Sequence, residues 1–326
     1  MAVYTEVSDE ELKTLSTAYD IGDIVSCKGI AEGVENSNYL IETTSGPYIL
    51  TLYERRVDPK DLPFFLGFME HLAAGGVPCP VPIRGRDGHA LRTVAGRPAA
   101  IISFLKGLWP RRITADHCAE LGPALAQLHA AALSYQGTRA NTLSLAGWRQ
   151  LAAHIDKATA ATLDPAMPDL IEGELAYLSA AWPTLGASPA VPSAVIHADL
   201  FPDNVFFLDG VYSGVIDFYF ACTDFLAYDL AICMNAWCFE PDGAFNITKA
   251  NRLLAGYQAV RPLSAEEKAL LPLFARGSAL RFMLTRLYDW VNTPAGALVK
   301  PKDPREYLQK LKFHRRVTDL GAYGLS

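Results

Sequence analysis

The sequence predicts an α+β fold in two lobes: a small β-rich lobe over residues 1–106 and a larger, mainly helical lobe over residues 107–326. Three observations predict it. Short runs rich in β-branched and aromatic residues, bounded by turn residues, crowd into the N-terminal third. From Thr114 onward apolar residues recur three and four apart, the period of a helix with one buried face. Between helical stretches lies AVIHADLFPDNVFFLDGVYSGVIDF, residues 194–218, which alternates apolar strand and polar loop. A chain of 326 residues is long enough to bury two such lobes.

The elements follow in order. Ser8 ahead of Asp9, Glu10 and Glu11 is a helix-start signal, with the helix expected to run to about Tyr19. Residues 24–29, 38–43 and 47–53 read as antiparallel strands, the last two joined by Ser45-Gly46. A helix is expected over 61–74, ended by Gly75-Gly76. Pro78, Pro80 and Pro82 hold the next stretch extended, and Asp87-Gly88 is a turn. Residues 98–105 read as a buried strand. Cys118, Leu121, Leu125 and Leu128 mark the apolar face of a helix beginning at Thr114. Further helices are expected over 144–164, 167–182, 224–237, 247–260 and 264–291, and a final basic helix over 305–318, with Lys310 to Arg316 on a solvated face.

Composition narrows the function classes. Half the residues are apolar and a fifth charged, as in a globular protein. A net charge of −6 argues against general nucleic-acid binding. No apolar run reaches the roughly 18 residues a membrane span needs, and MAVYTEVSDEEL does not read as a signal peptide. Six scattered cysteines without a CxxC pair are expected to be reduced thiols in the cytoplasm. No histidine spacing suggests zinc. The expected partners are small molecules, with neither nucleic acid nor membrane, and the chain is expected to act as a monomer or homodimer.

The chemistry concentrates in residues 194–218. Asp199, Asn204 and Asp217 stand at the ends of short apolar strands, where a sheet can aim them. Asn204 and Asp217 offer hard oxygen donors, which suit Mg²⁺. Mg²⁺ usually takes one or two protein carboxylates and fills its shell from phosphate and water. Asp199 is then available to take a proton from an incoming hydroxyl. A base, a metal clamp and little covalent work describe phosphoryl transfer from ATP.

His197-x-Asp199-x-x-x-x-Asn204 followed by Ile216-Asp217-Phe218 resembles the catalytic and metal-binding loops of the protein-kinase-like superfamily. Ala198 in place of arginine resembles the aminoglycoside phosphotransferase and choline kinase branch, as does the Gly122-x-x-Leu125-Ala126-x-Leu128-His129 helix. The resemblance implies a kinase-like two-lobe fold, with ATP and Mg²⁺ as cofactors. It implies a phosphate loop over residues 29–38, where Gly33, Ser37 and Asn38 are the candidates, and an adenine site at Phe104 and Leu105. It also implies a structural role for Asp229.

One expectation of the family fails in this sequence. The strand over 47–53 should carry a lysine toward the phosphates, and Thr51 stands near its place. The partner glutamate of the next helix should fall near Phe65, with Glu70 the closest available. Joint loss is coherent, because a glutamate buried without its cation is costly. Lys28, Arg55 and Arg56 are the alternatives for the phosphate charge.

The acceptor is a separate question. A zwitterionic amino acid needs an arginine for its carboxylate, and Arg276, Arg281 and Arg286 lie on one long helix, with Arg281 and Tyr288 seven apart. Arg281, Asn235 and Trp237 are the candidate substrate contacts; Asp203 reads either as support for the base or acceptor amine or as a loop cap. NSNYLIETTSGPYILTLYE, HADLFPDNVFF, GVIDFYFACTDFLAYDLAICMNAW and ALRFMLTRLYDW resemble the homoserine kinases of this fold, which share the threonine in place of the strand lysine. That resemblance implies L-homoserine as substrate, in threonine biosynthesis. Choline, ethanolamine, an amino sugar or an aminoglycoside remain alternative acceptors, and a nucleotide-binding pseudokinase a second alternative.

Overall fold

A computed structural model describes residues 4–30, 36–54, 57–293 and 300–325. The chain divides into two compact units, Met1–Gly107 with Ser213–Tyr219, and Leu108–Tyr212 with Phe220–Ser326.

The first unit opens with α1 (Asp9–Thr17), started by a reciprocal capping box between Ser8 and Glu11. β1 (Ile24–Gly29), β2 (Ser37–Thr43), β3 (Gly46–Leu52), α2 (Leu62–Ala74), β4 (Leu91–Val94) and β5 (Arg97–Ser103) follow. The strands form one sheet in the order β1-β2-β3-β5-β4, every neighbouring pair antiparallel. Alternation decides its two faces. Tyr39, Ile41, Leu50, Leu52, Ala99 and Ile101 bury one face against Leu12 and Leu15 of α1 and against Tyr19. On the opposite face Asn38, Thr51 and Ala100 lie in register across three strands.

The second unit contains α3 (Ala115–Ala132), α4 (Leu145–Ala153), α5 (Lys157–Leu163), α6 (Met167–Ala181), β6 (Ser193–Ile196) and β7 (Val205–Leu208). β8 (Val211–Val215) straddles the division, and β9 (Cys222–Phe225), α7 (Leu226–Trp237), α8 (Ile247–Val260), α9 (Ala265–Asn292) and α10 (Arg305–His314) complete the unit. β6 pairs antiparallel with β9, and β7 pairs with β8. Asp209 and Gly210 turn that hairpin with φ of 52° and 82°, the left-handed pair a tight two-residue turn requires. α3 and α8 approach most closely at glycines: a Cβ on Gly122 would overlap the Leu253 carbonyl, and one on Gly256 would meet the ring of Pro123 at 2.8 Å.

Three local expectations need correction. The single helix expected over 144–164 is two helices, because Asp156 accepts the Thr159 N–H and starts α5 afresh. The helix expected from Asp224 begins at Leu226, after Cys222–Phe225 has paired with β6. The basic face of α10 is partly interior. Lys310 and His314 are buried, the lysine held by the Glu306 carboxylate at 2.6 Å and the Asn235 carbonyl at 2.9 Å. All six cysteines are free thiols; Cys27 is half-buried and the other five are buried. Among the described residues no helix is long and apolar enough to cross a membrane.

Candidate active site

β6 delivers the chain into His197-Ala198-Asp199. Ala198 has φ of 65°, a left-handed conformation that a residue with a Cβ adopts only when its surroundings enforce it. Asp229, in the first turn of α7, supplies one constraint. Its Oδ2 accepts the His197 N–H and its Oδ1 the Ala198 N–H, both at 2.9 Å. Arg281 of α9 supplies another, donating from Nη1 to the Ala198 carbonyl at 2.6 Å.

Asp229 is itself held. His129 Nε2 lies 3.1 Å from Asp229 Oδ2, and His129 Nδ1 lies 2.8 Å from the Tyr257 hydroxyl. Arg261 donates to that hydroxyl at 2.9 Å and pairs with Glu267 at 2.7 Å. The arginine has no acceptor to offer, so Tyr257 donates to Nδ1 and the imidazole donates from Nε2. Burial pushes the His129 pKa down, against the pull of Asp229, which keeps the ring neutral. Burial works to raise Asp229, but the bonds from His129 and His197 outweigh it, and its pKa is lowered.

Asn204 closes the loop. The turn Pro202–Asn204 brings its Nδ2 to the Asp199 carbonyl at 2.8 Å and to Asp199 Oδ2 at 3.4 Å. The Asp199 N–H in turn donates to His197 Nδ1 at 3.3 Å. With its nitrogen so engaged, Asn204 presents Oδ1, a hard oxygen, and no described residue donates to it. Asp203 beside it is exposed.

The expected substrate contacts on α7 do not face outward. Asn235 is fully buried, donating to the Ala275 carbonyl at 2.9 Å while its Oδ1 meets His314 Nε2 at 3.1 Å. Trp237, equally buried, donates to the Leu200 carbonyl at 2.8 Å and braces the loop from beneath. Arg281 is 2 % exposed, so it reads as a backbone clamp, whereas Tyr288 on the same helix is 37 % exposed. Arg276 pairs with Glu174 and Arg286 with Glu306.

Asp217 is placed by the first unit. The Val215 N–H donates to the Pro78 carbonyl at 3.1 Å. Gly214, with φ of 152°, passes so close that a Cβ would sit 2.7 Å from that carbonyl oxygen. Asp217 itself has φ of 67°. Phe218 is fully buried edge-on against Phe68, centroids 5.9 Å apart. Tyr219 packs edge-on between Tyr53, at 5.2 Å, and Phe65, at 5.7 Å. The Tyr53 and Tyr219 hydroxyls are 3.1 Å apart. Sequence reasoning assigned no role to this tyrosine pair, because the two are 166 residues apart and only their aromatic character is visible.

The nucleotide-side expectations are partly revised. Ser37 is buried, donates to Glu54 at 2.8 Å and accepts from the Tyr4 and Thr5 N–H groups, so it is no free phosphate donor. Thr51 is 1 % exposed and donates to Asn38 Oδ1 at 2.8 Å. Glu70 pairs with Arg84, not with a cation on β3. Phe104 is 40 % exposed at the end of β5, and Leu105 lies against Gly214. Lys28 is exposed on β1; Gly33, Arg55 and Arg56 lie outside the described residues.

Each unit offers a hard oxygen of the kind a divalent cation takes. Asn204, in the second unit, offers an amide oxygen and Asp217, in the first, a carboxylate; among the described residues no cluster of three His, Cys, Asp or Glu could cage a metal alone. Hard oxygens of this kind suit Mg²⁺, which relies on phosphate and water for most of its ligands.

Residues 26–263 match the phosphotransferase enzyme family. A homoserine kinase of Paramagnetospirillum magneticum is 63% identical over 331 residues, covering 100% of both chains. A homoserine kinase of Xanthobacter autotrophicus is 60% identical, again across 100% of both. Among solved structures, the amicoumacin kinase hAmiN in complex with AMP-PNP, Ca²⁺ and Ami superposes with a TM-score of 0.72 at 16% identity, covering 94% of this chain and 92% of that one. At that identity the likeness establishes the kinase fold.

Proposed function

Because the chain belongs to the phosphotransferase enzyme family and matches homoserine kinases at 57–63% identity along its whole length, we infer that it transfers the γ-phosphoryl group of ATP to the hydroxyl of L-homoserine. The products are O-phospho-L-homoserine and ADP, on the route to threonine. One observation carries the choice of acceptor: the 63% identity leaves no part of either chain unmatched. The reaction class draws separate support from the closed His197–Asn204 loop.

In this reading Asp199 accepts the hydroxyl proton as the acceptor oxygen bonds to the γ-phosphorus and the bond to the β-phosphate oxygen of ADP breaks. Asn204 and Asp217 hold Mg²⁺, which when bound neutralises charge on the phosphates. Asn204 also anchors Asp199, so one amide serves both base and cation. Phe104 and Leu105 contact adenine, while Gly33 and Asn38 serve the phosphate loop. Asp203 meets the acceptor amine. Ser37, Thr51, Asn235, Trp237 and Arg281 take structural roles, as their burial supports. The enzyme works in the cytoplasm, where its thiols stay reduced.

The test is ADP release from ATP and Mg²⁺ with L-homoserine, compared with D-homoserine, L-serine, L-threonine and choline. Turnover with L-homoserine alone is expected. Turnover with choline in its place would retain the loop chemistry and discard the acceptor.

A further inference from the structure

We propose that Tyr219 is a positioning residue for Asp217, holding it through a hydroxyl bond and ring contacts with Tyr53 and Phe65. The proposal rests on the reading of Asp217 as a cation ligand and adds the device that aims it.

Asp217 sits at φ of 67°, where a residue other than glycine stays only if its neighbours fix the backbone on both sides. Before it, the Val215 N–H is tied to Pro78. After it, Phe218 is locked on Phe68 and Tyr219 is wedged between Tyr53 and Phe65. Ring packing is non-directional and does not by itself fix where the Tyr219 hydroxyl sits. The 3.1 Å bond between the Tyr53 and Tyr219 hydroxyls supplies the directional contact. Tyr53 is 2 % exposed, so its hydroxyl needs a partner inside the protein. Thr51, on the neighbouring strand, gives its own hydroxyl proton to Asn38.

The same cluster explains the absent lysine. The row Asn38, Thr51, Ala100 carries no charged side chain. Phe65 fills the α2 position facing Tyr219 with a ring. A lysine at Thr51, which is 1 % exposed, would have to bury its ammonium on a row that carries no charged side chain. Neutral hydroxyls do the tethering that an ion pair would otherwise do. With no cation on this row, the affinity of the site for metal–nucleotide depends on how accurately Asp217 is aimed.

The decisive experiment is Mn²⁺ binding followed by electron paramagnetic resonance, with a non-hydrolysable ATP analogue present. It compares the wild-type chain with Tyr219→Phe, Tyr53→Phe, the double variant and Asp217→Asn. Each Phe variant keeps its ring and loses one side of the same bond. Each is expected to weaken Mn²⁺ binding about threefold to tenfold, the worth of one neutral hydrogen bond. The double variant should be no worse than the weaker single. Turnover lost at low Mg²⁺ should return as Mg²⁺ is raised. Should Tyr219→Phe fail to fold, Tyr53→Phe decides the matter from the other side. Unchanged Mn²⁺ affinity in the folded Phe variants overturns the positioning role while Asp217 stays a ligand. Unchanged affinity in Asp217→Asn removes the ligand reading and the proposal with it.

Discussion

Arg281 donates to the Ala198 carbonyl at 2.6 Å while the N–H of the same alanine is bound by Asp229 at 2.9 Å. One left-handed residue is thus gripped at both its polar backbone groups, and the next residue is Asp199. The arginine acts on the base through the backbone. Arg281→Lys is expected to lower kcat by about tenfold to a hundredfold, since a lysine cannot match the reach and planarity of the fork. KM for L-homoserine should move by less than about threefold. Steady-state kinetics decide the point: a raised KM with intact kcat would return Arg281 to the substrate carboxylate.

Asp199 and Asp217 should separate cleanly. Asp199→Asn is expected to reduce turnover by about a thousandfold or more, with Mg²⁺-dependent nucleotide binding retained. Asp217→Asn should lose both. Thermal shift with ATP and Mg²⁺, alongside ADP release, distinguishes the two variants. Near-normal turnover in Asp199→Asn would remove the base assignment.

Acid stability should be governed partly by His314. It is buried between the Tyr323 hydroxyl and Asn235 Oδ1. Burial, then Lys310 and Arg276, push its pKa from 6.5 down to about 3. Above pH 6.5 the ring is neutral whether folded or unfolded, and stability is independent of its titration. As pH falls toward about 3, the unfolded chain binds a proton that the folded chain refuses, so stability declines. The slope from this one group is about 1.4 kcal/mol per pH unit. His129, also lowered by burial, works in the same direction. Urea melts of His314→Gln at several pH values should show a shallower acid decline than wild type; an unchanged slope would remove His314 from the account.

Gly122→Ala is expected to destabilise the second unit by about 2–3 kcal/mol, because the added methyl would overlap the backbone of α8. Gly173→Ala, where a Cβ meets nothing within 4 Å, is the matched control and should be neutral or slightly stabilising. Denaturant midpoints of the two variants test this directly.

Where the sequence carried a local signal, the structure follows it closely. Ile24–Gly29 and Ile247–Val260 have the bounds expected of them, and α2 and α9 begin within a residue of theirs. The turn at Asp209-Gly210 was legible for the same reason: two left-handed residues leave few choices of side chain. The burial of Asn235 and Trp237 was not legible in the same way. Helical spacing says which residues share a face, and α7 is buried on nearly every face, so position along the chain did not reveal what each side chain meets. The break at Asp156 was missed because the apolar pattern runs on through it. Tyr53 and Tyr219 were beyond reach, since nothing local pairs residues that distant.

The thiols make unfolding countable. Alkylation requires a thiolate and a path to it, and burial raises Cys79 to about 12 and raises Cys27 as well. In the native chain Cys27 alone is partly open, whereas the unfolded chain offers six. Mass spectrometry after a brief pulse of reagent should therefore register molecules near zero or one adduct when folded and near six when unfolded. The fraction in each population is a stability measurement that needs no introduced label, and intermediate adduct numbers would identify whichever unit opens first.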